Sequence, residues 1–215
     1  MTEGESGAAA TFPATPDVRA AGVPPSRRLA FSAFRNGAPL GRHEIAFSVR
    51  DRDLVVDISV DYAVKFGPIT FFRYKLRGRE IWSNGVLASA RVQTDNNGKR
   101  EHMRAEREGA ALIVEGSKAR PVRFSQNCCV ASHWNIAQLE GPMINPQDGS
   151  LLRFKVRAMG PSKLVDAQGT ARIARRFELK GQNSLELWYA DPGLWVGLRA
   201  KAFDGSVISY APEAR

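Results

Sequence analysis

From Arg28 onward, apolar and polar residues change places at every second position in run after run. The clearest run is Leu54, Val56, Ile58, Val60, Tyr62 and Val64, set against Asp57, Ser59, Asp61 and Lys65. Successive side chains on a strand point to opposite faces, so this pattern predicts a strand with one face packed inward. Leu29, Phe31 and Ala33 form a shorter run of the same kind, followed by Asn36-Gly37 and a returning strand over Gly41 to Asp51. Phe72, Tyr74, Leu76 and Trp82 alternate with Arg73, Lys75, Arg77 and Arg79. Asn84-Gly85, Asn97-Gly98 and Asp204-Gly205 are further hairpin signals, because Asn, Asp and Gly tolerate the positive φ that tight turns between twisted strands require. Lys99 to Glu108 and Ala111 to Gly116 extend the series, so residues 28–116 read as one antiparallel meander.

The last stretch, Ser184 to Tyr210, reads as a second meander of three strands. Leu185, Leu187 and Tyr189 alternate with Glu186 and Trp188, and Asp191-Pro192-Gly193 turns the chain. Val196, Leu198 and Ala200 then alternate with Gly197, Arg199 and Lys201 before Val207 to Tyr210 completes the set. Between the two meanders, Ser125 to Met143 has no alternation, and Ala131 to Leu139 predicts a short helix capped by Ser132 and ended by Gly141-Pro142. Strands resume at Leu151 to Val156, Lys163 to Asp166 and Arg172 to Leu179. The expected class is mainly β: a single curved antiparallel sheet or half-open β-barrel over residues 28–212, with one or two short helices at its mouth. Residues 1–27 are rich in Ala, Gly, Pro, Ser and Thr without periodicity, and read as a disordered leader or the remains of an export segment.

Charge changes this picture in one place. The 215 residues carry a net charge of +9, which suits either anionic partners or a dispersed, solubilising surface. Arg73, Lys75, Arg77 and Arg79 would all project from one face of a strand, and four like charges cannot share a buried face. They predict a solvated outer face paired with acids of neighbouring strands, or a docking surface for an anionic membrane. No motif for specific nucleic-acid recognition accompanies them. No run approaches the ~18 apolar residues of a membrane-spanning helix, and no apolar signal-peptide core follows Met1.

Candidate chemistry is sparse. The sequence holds no Gly-x-Ser-x-Gly, His-Glu-x-x-His, phosphate-binding or dinucleotide-binding loop. His43, His102 and His133 are scattered and no Cys-x-x-Cys occurs, so neither a metal site nor a cofactor is expected. Cys128 and Cys129 are adjacent, a spacing that suits two partly buried thiols better than a strained disulfide. Cys129 and His133 would lie one turn apart on a helix, where a Cys–His pair can generate a thiolate, but no orienting third residue can be named. The aromatic residues carry more. A half-closed sheet needs a ligand or a plug on its concave side. Phe66, Phe72, Tyr74, Trp82, Trp134, Trp188, Tyr189 and Trp195 are the candidates to line it, with Trp134 as its lid or plug.

Several local patterns together carry a resemblance. They are Arg35-Asn36-Gly37 with Gly41 and His43, the run from Phe66-Gly67-Pro68 to Tyr74, Glu80-Ile81-Trp82 with Gly85, and Ser132-His133-Trp134-Asn135. The closing Leu187-Trp188-Tyr189, Trp195-Val196-Gly197-Leu198, Asp204-Gly205-Ser206 and Tyr210 belong with them. The chain from Arg28 to Tyr210 thus resembles an uncharacterised family of Gram-negative bacteria, domain-of-unknown-function family 6134. The resemblance implies an exported protein of the periplasm or cell envelope. The closing pattern is also similar to that of a larger group of exported proteins whose fold resembles the outer-membrane lipoprotein carriers. Cys128-Cys129 departs from the family's pattern. The reading that results is a non-enzymatic protein whose concave face binds a lipid-like or apolar ligand. A structural or protein-interaction domain without ligand is the alternative, and a Cys/His-dependent enzyme the weaker one.

Overall fold

The computed structural model describes residues 22–66, 69–124, 128–166, 169–181 and 184–213. Residues 1–21 of the expected leader lie outside the described residues, and so does the side chain of Phe66. The first meander comprises β1 (Arg28–Arg35), β2 (Ala38–Arg50), β3 (Asp53–Phe66), β4 (Ile69–Ser83), β5 (Val86–Asn96), β6 (Lys99–Glu108), β7 (Ala111–Gly116) and β8 (Ala119–Phe124). A crossover follows, containing β9 (Cys129–Val130), a single 3₁₀ turn (Ile136–Glu140), β10 (Met143–Ile144) and β11 (Leu151–Leu152). The second meander is β12 (Lys155–Val165), β13 (Ala171–Lys180), β14 (Ser184–Ala190), β15 (Leu194–Lys201) and β16 (Val207–Pro212).

The two meanders fuse into one 13-stranded sheet because β16 pairs antiparallel with β1. Every other neighbour in that sheet is also a neighbour in sequence, so hairpin turns set most of its register. Asn36-Gly37, Asn84-Gly85 and Asn97-Gly98 each carry two consecutive positive φ angles, as tight hairpins between twisted strands require. The free edges are β8 and β12, which do not pair with each other, so the sheet curls without closing. The β12–β13 hairpin packs back over the outside: Trp188 of β14 donates its indole N–H to Ser162 Oγ at 2.8 Å and packs with Ala174, Val196 and Leu164 in a small outer cluster.

The expected helices at the mouth are absent among the described residues. The 3₁₀ turn is capped by Asn135, whose side chain accepts from the Ala137 amide at 3.0 Å, rather than by Ser132. Cys129 and Val130 instead run extended and pair in parallel with Met143 and Ile144, and β11 completes a three-stranded sheet. Between the paired segments the 3₁₀ turn at Ile136–Glu140 is the helical element among the described residues. The crossover lies across the concave face and packs against the main sheet there, with Trp134, Met143 and Ile144 fully buried in the one large core cluster. Each fully buried large apolar side chain contributes about 1.5–3 kcal/mol, so this crossover is a structural plug and not a loose flap.

Candidate ligand cavity

The period-two pattern decides which side chains meet inside. On β4 the inward positions are Phe72, Tyr74, Leu76, Glu80 and Trp82; on β2 they include Leu40, His43, Ile45 and Phe47. Half of this interior is solid. Trp134 from the crossover packs edge-to-face on Trp82 at 5.3 Å and on Phe47 at 5.4 Å between ring centroids. Beneath the indoles lies Glu80, fully buried, one of whose carboxyl oxygens accepts from Trp82 Nε1 at 2.8 Å and Trp134 Nε1 at 3.0 Å. Burial pushes the Glu80 carboxyl up, against the opposing pull of those two indole N–H groups.

The other half is hollow. A cavity of about 630 Å³ opens beside the β1–β2 and β15–β16 turns, between Val64 of β3 and Phe72 of β4. Ile58, Val60, Tyr62 and Val64 of β3, Phe72, Tyr74 and Leu76 of β4, Val92 of β5, and Ile208 and Tyr210 of β16 form its walls. Ala131, Ser132 and His133 of the crossover close its inner end, and Arg35, Phe203, Asp204 and Ser206 stand at its rim. Arg35 and Asp204 form an ion pair, and Arg35 also donates to Ser206 Oγ at 3.1 Å. The volume falls within the roughly 300–1,000 Å³ of small-molecule sites, and the lining is predominantly apolar, as such sites are.

Three tyrosines and two histidines are among the polar side chains that interrupt that lining. Tyr62 and Tyr210 share a hydrogen bond between their hydroxyls, and Tyr62 stacks on Tyr74 with centroids 5.8 Å apart. Desolvation raises all three phenols, Tyr210 to about 12, so they remain neutral. His43 and His133 both pack near Trp195, whose ring centroid is 5.3 Å from the first imidazole and 5.4 Å from the second. Burial lowers His43 to about 3 and His133 to about 4.

Of the aromatic residues singled out in the sequence, Phe72 and Tyr74 line the cavity. Trp82, Trp134, Tyr189 and Trp195 belong to the solid core instead. Tyr189 donates to the His133 carbonyl at 2.8 Å and accepts from Gln138 Nε2 at 2.7 Å, and Trp195 donates to the Gly197 carbonyl at 2.8 Å. Trp188 sits on the convex side, one position out of phase with Leu187 and Tyr189. His43, Tyr62 and Tyr210 are the cavity residues that aromatic content alone did not single out. Inward parity on three strands was the signal available for them.

The basic stripe of β4 lies on the convex face as its spacing predicts. Arg79 reaches Asp57 at 2.6 Å, Arg77 reaches Asp61 at 2.6 Å, and Lys75 approaches Asp61 at 3.9 Å, which leaves Arg73 without an ion pair among the described residues. Cys128 and Cys129 are free, buried thiols. No hydrogen bond joins Cys129 to His133 among the described residues, and desolvation pushes the Cys129 thiol up to about 12, far from a thiolate at neutral pH.

An open antiparallel sheet curled around a plug and an apolar hollow defines a β-barrel-like domain. The chain belongs to the DUF6134 family, a domain of unknown function, which matches it over residues 31–213. Among solved structures it is similar to a beta-barrel-like protein of the domain of unknown function DUF1849 from Brucella abortus. The likeness has a TM-score of 0.58 and covers 86% of this chain and 94% of that one at 7% identity, which shows shared fold alone. No curated protein matches the chain.

Proposed function

We propose that this protein is a non-enzymatic binding protein of the cell envelope that holds a lipid-like, apolar ligand inside its curled sheet. One observation carries the reading: the trough is packed solid around Trp134, yet beside that packing it keeps a hollow of about 630 Å³ walled by apolar side chains. A fold that needed only a core would fill that space, because empty apolar volume costs stability. Placement in the periplasm rests on the chain's resemblance to exported proteins, and fractionation of cells carrying a tagged full-length chain tests it.

Apolar burial would drive affinity. Each methylene added to a bound chain strengthens binding by about 0.8 kcal/mol, close to fourfold, until the cavity is full. Native mass spectrometry of the gently purified protein and titration with the apolar dye N-phenyl-1-naphthylamine test the proposal together. Co-purified lipid, or saturable dye fluorescence at one site, is the expected result. A protein that carries no lipid and leaves the dye dark overturns it. The competing reading, a protein-interaction domain, is favoured by the free edge strand β12, where Val156, Met159 and Val165 are exposed and a further strand could pair.

A further inference from the structure

We propose that the end of the sheet at which the cavity opens is a docking face for an anionic lipid bilayer, with Phe71 and Phe203 as its inserting side chains. Docking deepens the binding reading above by naming the surface from which a lipid-like ligand would enter, and as a route for ligand it rests on that reading. The ladder decides which residues share this end. Neighbouring strands of the main sheet are antiparallel, so its turns fall alternately at two ends. Asn36-Gly37, Asn97-Gly98, Ser117-Lys118 and Asp204-Gly205 fall at one, together with Lys155 and Lys180, which face each other where β12 begins and β13 stops. Arg35, Phe203, Asp204 and Ser206 place the cavity's mouth there. Asp51-Arg52, Asn84-Gly85, Gly109-Ala110 and Asp191-Pro192-Gly193 fall at the other.

Charge is divided between the two ends. Six of the eight lysines stand in or beside the turns and strand termini of the mouth end: Lys65, Lys99, Lys118, Lys155, Lys180 and Lys201. Lys99, Lys118 and Lys180 pair with Glu101, Asp148 and Glu178. Lys155 and Lys201, with Arg73 and Arg100 of the same end, are exposed and carry no ion pair among the described residues. The far end balances its charges instead. Arg50 and Arg52 alternate with Asp51 and Asp53, while Arg123, Arg172 and Arg175 pair with Glu108, Asp166 and Asp191. An anionic leaflet strengthens binding about fivefold for each basic residue held within a Debye length, about 8–10 Å, of its surface.

Cations alone would suit any polyanion, and the aromatic pair selects a bilayer. Phe71 and Phe203 are the exposed phenylalanines among the described residues, at 63% and 95%, and both belong to the mouth end. Phe203 stands in the turn that forms the rim, and Phe71 precedes the cavity-lining Phe72. A phenyl ring left in water forgoes burial that the edge of a hydrocarbon layer supplies. A polyanion without an apolar layer gives these rings nothing to enter.

Sedimentation of the full chain with vesicles, no ligand added, tests docking. The protein should follow phosphatidylglycerol vesicles and stay in solution with phosphatidylcholine. Arg73→Gln, Lys155→Gln and Lys201→Gln together should weaken that binding more than about tenfold. Arg50→Gln, Arg52→Gln and Lys163→Gln remove the same charge from the far end and should change it less than about twofold. Insertion has its own readout. Phe203→Trp should add emission that shifts to the blue on phosphatidylglycerol and is quenched when the acyl chains are brominated. Ile173→Trp, at a position 68% exposed near the far end, should do neither. Equal binding to both kinds of vesicle, equal losses in the two triple variants, or a rim indole that stays unquenched on bound protein would each overturn the proposal, the last leaving a surface for soluble polyanions. N-phenyl-1-naphthylamine keeps the two readings apart: a chain that binds the dye but neither vesicle overturns docking alone, and one that binds vesicles but no dye overturns the cavity alone.

Discussion

Glu80 carries a carboxyl into the apolar half of the molecule, and its consequences run opposite to those of the two cavity histidines. In the unfolded chain a glutamate ionises above about pH 4.5, whereas burial raises Glu80 in the fold. Between those two values the native state keeps a proton that the unfolded chain has released, so stability falls as pH rises, by up to about 1.4 kcal/mol per pH unit. His43 and His133, lowered to about 3 and about 4, stay neutral where unfolded imidazoles take up protons. Stability therefore also falls as pH drops below about 6.5, by up to about 2.7 kcal/mol per pH unit for the pair. The carboxylates held below their usual range, Glu101, Asp148, Asp204 and Glu213, act under about pH 4.5 and leave this window clear. Glu80→Gln keeps an oxygen for the two indoles, removes the alkaline fall and steepens the acid one. Its Tm advantage over wild type should grow from pH 5 to pH 8, at about 2–4 °C per kcal/mol. An advantage that did not change with pH would mean that Glu80 ionises in the fold as it does in the unfolded chain. Glu80 was legible in principle, as the one acid on the inward parity of β4; what hid it was that its two indole donors stand 2 and 54 residues away. Gly41 makes a second residue-scale case. It sits at φ 154° opposite Tyr62, and a Cβ there would lie 2.0 Å from the Asp61 carbonyl oxygen. Gly41→Ala should cost at least about 2 kcal/mol in urea unfolding, since backbone has to move. A wild-type midpoint would show that the β2–β3 contact yields easily.

At the scale of elements, what could be read from the chain was what is decided locally. The three Asn-Gly turns and the alternating strands they join follow from φ preference and parity, and the structure has them. β8 was missed because Ala119–Phe124, with Arg120, Pro121 and Arg123, has no apolar rhythm; its pairing with β7 alone makes it a strand. Leu151 to Val156 and Lys163 to Asp166 read as separate strands, yet β12 runs from Lys155 to Val165 through Gly160-Pro161 with a bulge, since proline is tolerated on an edge strand. The crossover was misread as an α-helix because its composition allows one, whereas Cys129-Val130 and Met143-Ile144 pair in parallel at its ends and the residues between them form a 3₁₀ turn. Distant pairings of that kind leave no periodic trace. The crossover's importance can be measured at Trp134, which is 1% exposed and bridges to Glu80. Trp134→Ala should lower stability by about 3–5 kcal/mol. Trp134→Phe retains most of the packing but removes one donor from Glu80, so about 1–2 kcal/mol is expected, and less when Glu80→Leu is already present. Equal losses in both backgrounds would show that the indole N–H bond adds nothing.

For the whole molecule, the packing around Trp134 separates the large cavity from a smaller hollow of about 330 Å³ beside Cys128 and Cys129, and on the proposed binding function ligand traffic belongs at the large cavity's rim. Phe203, 95% exposed, stands on the cavity rim, and Phe71, 63% exposed, lies beside the cavity-lining Phe72 where β4 begins. Side chains so far out of the core contribute little to folding, so Phe71→Ser and Phe203→Ser together should change stability by no more than about 0.5 kcal/mol. Aromatic tips beside a hollow can instead enter the edge of a bilayer, where rings with one apolar and one wet side settle. The charge pattern agrees with that orientation: Asp57 and Asp61 answer the stripe of β4 at Lys75, Arg77 and Arg79, and the cation left over, Arg73, is the one closest to Phe71 in sequence. Uptake of a pyrene-labelled long-chain alcohol from vesicles should therefore run faster from phosphatidylglycerol than from phosphatidylcholine. Salt of about 0.5 M should erase the difference by screening. The double serine variant should take up the alcohol several-fold more slowly at unchanged equilibrium affinity, because the rim governs passage while the walls govern binding. If the variant exchanged at the wild-type rate from both kinds of vesicle, the ligand would have to pass elsewhere, and the unpaired gap between β8 and β12 is the remaining opening the sheet provides.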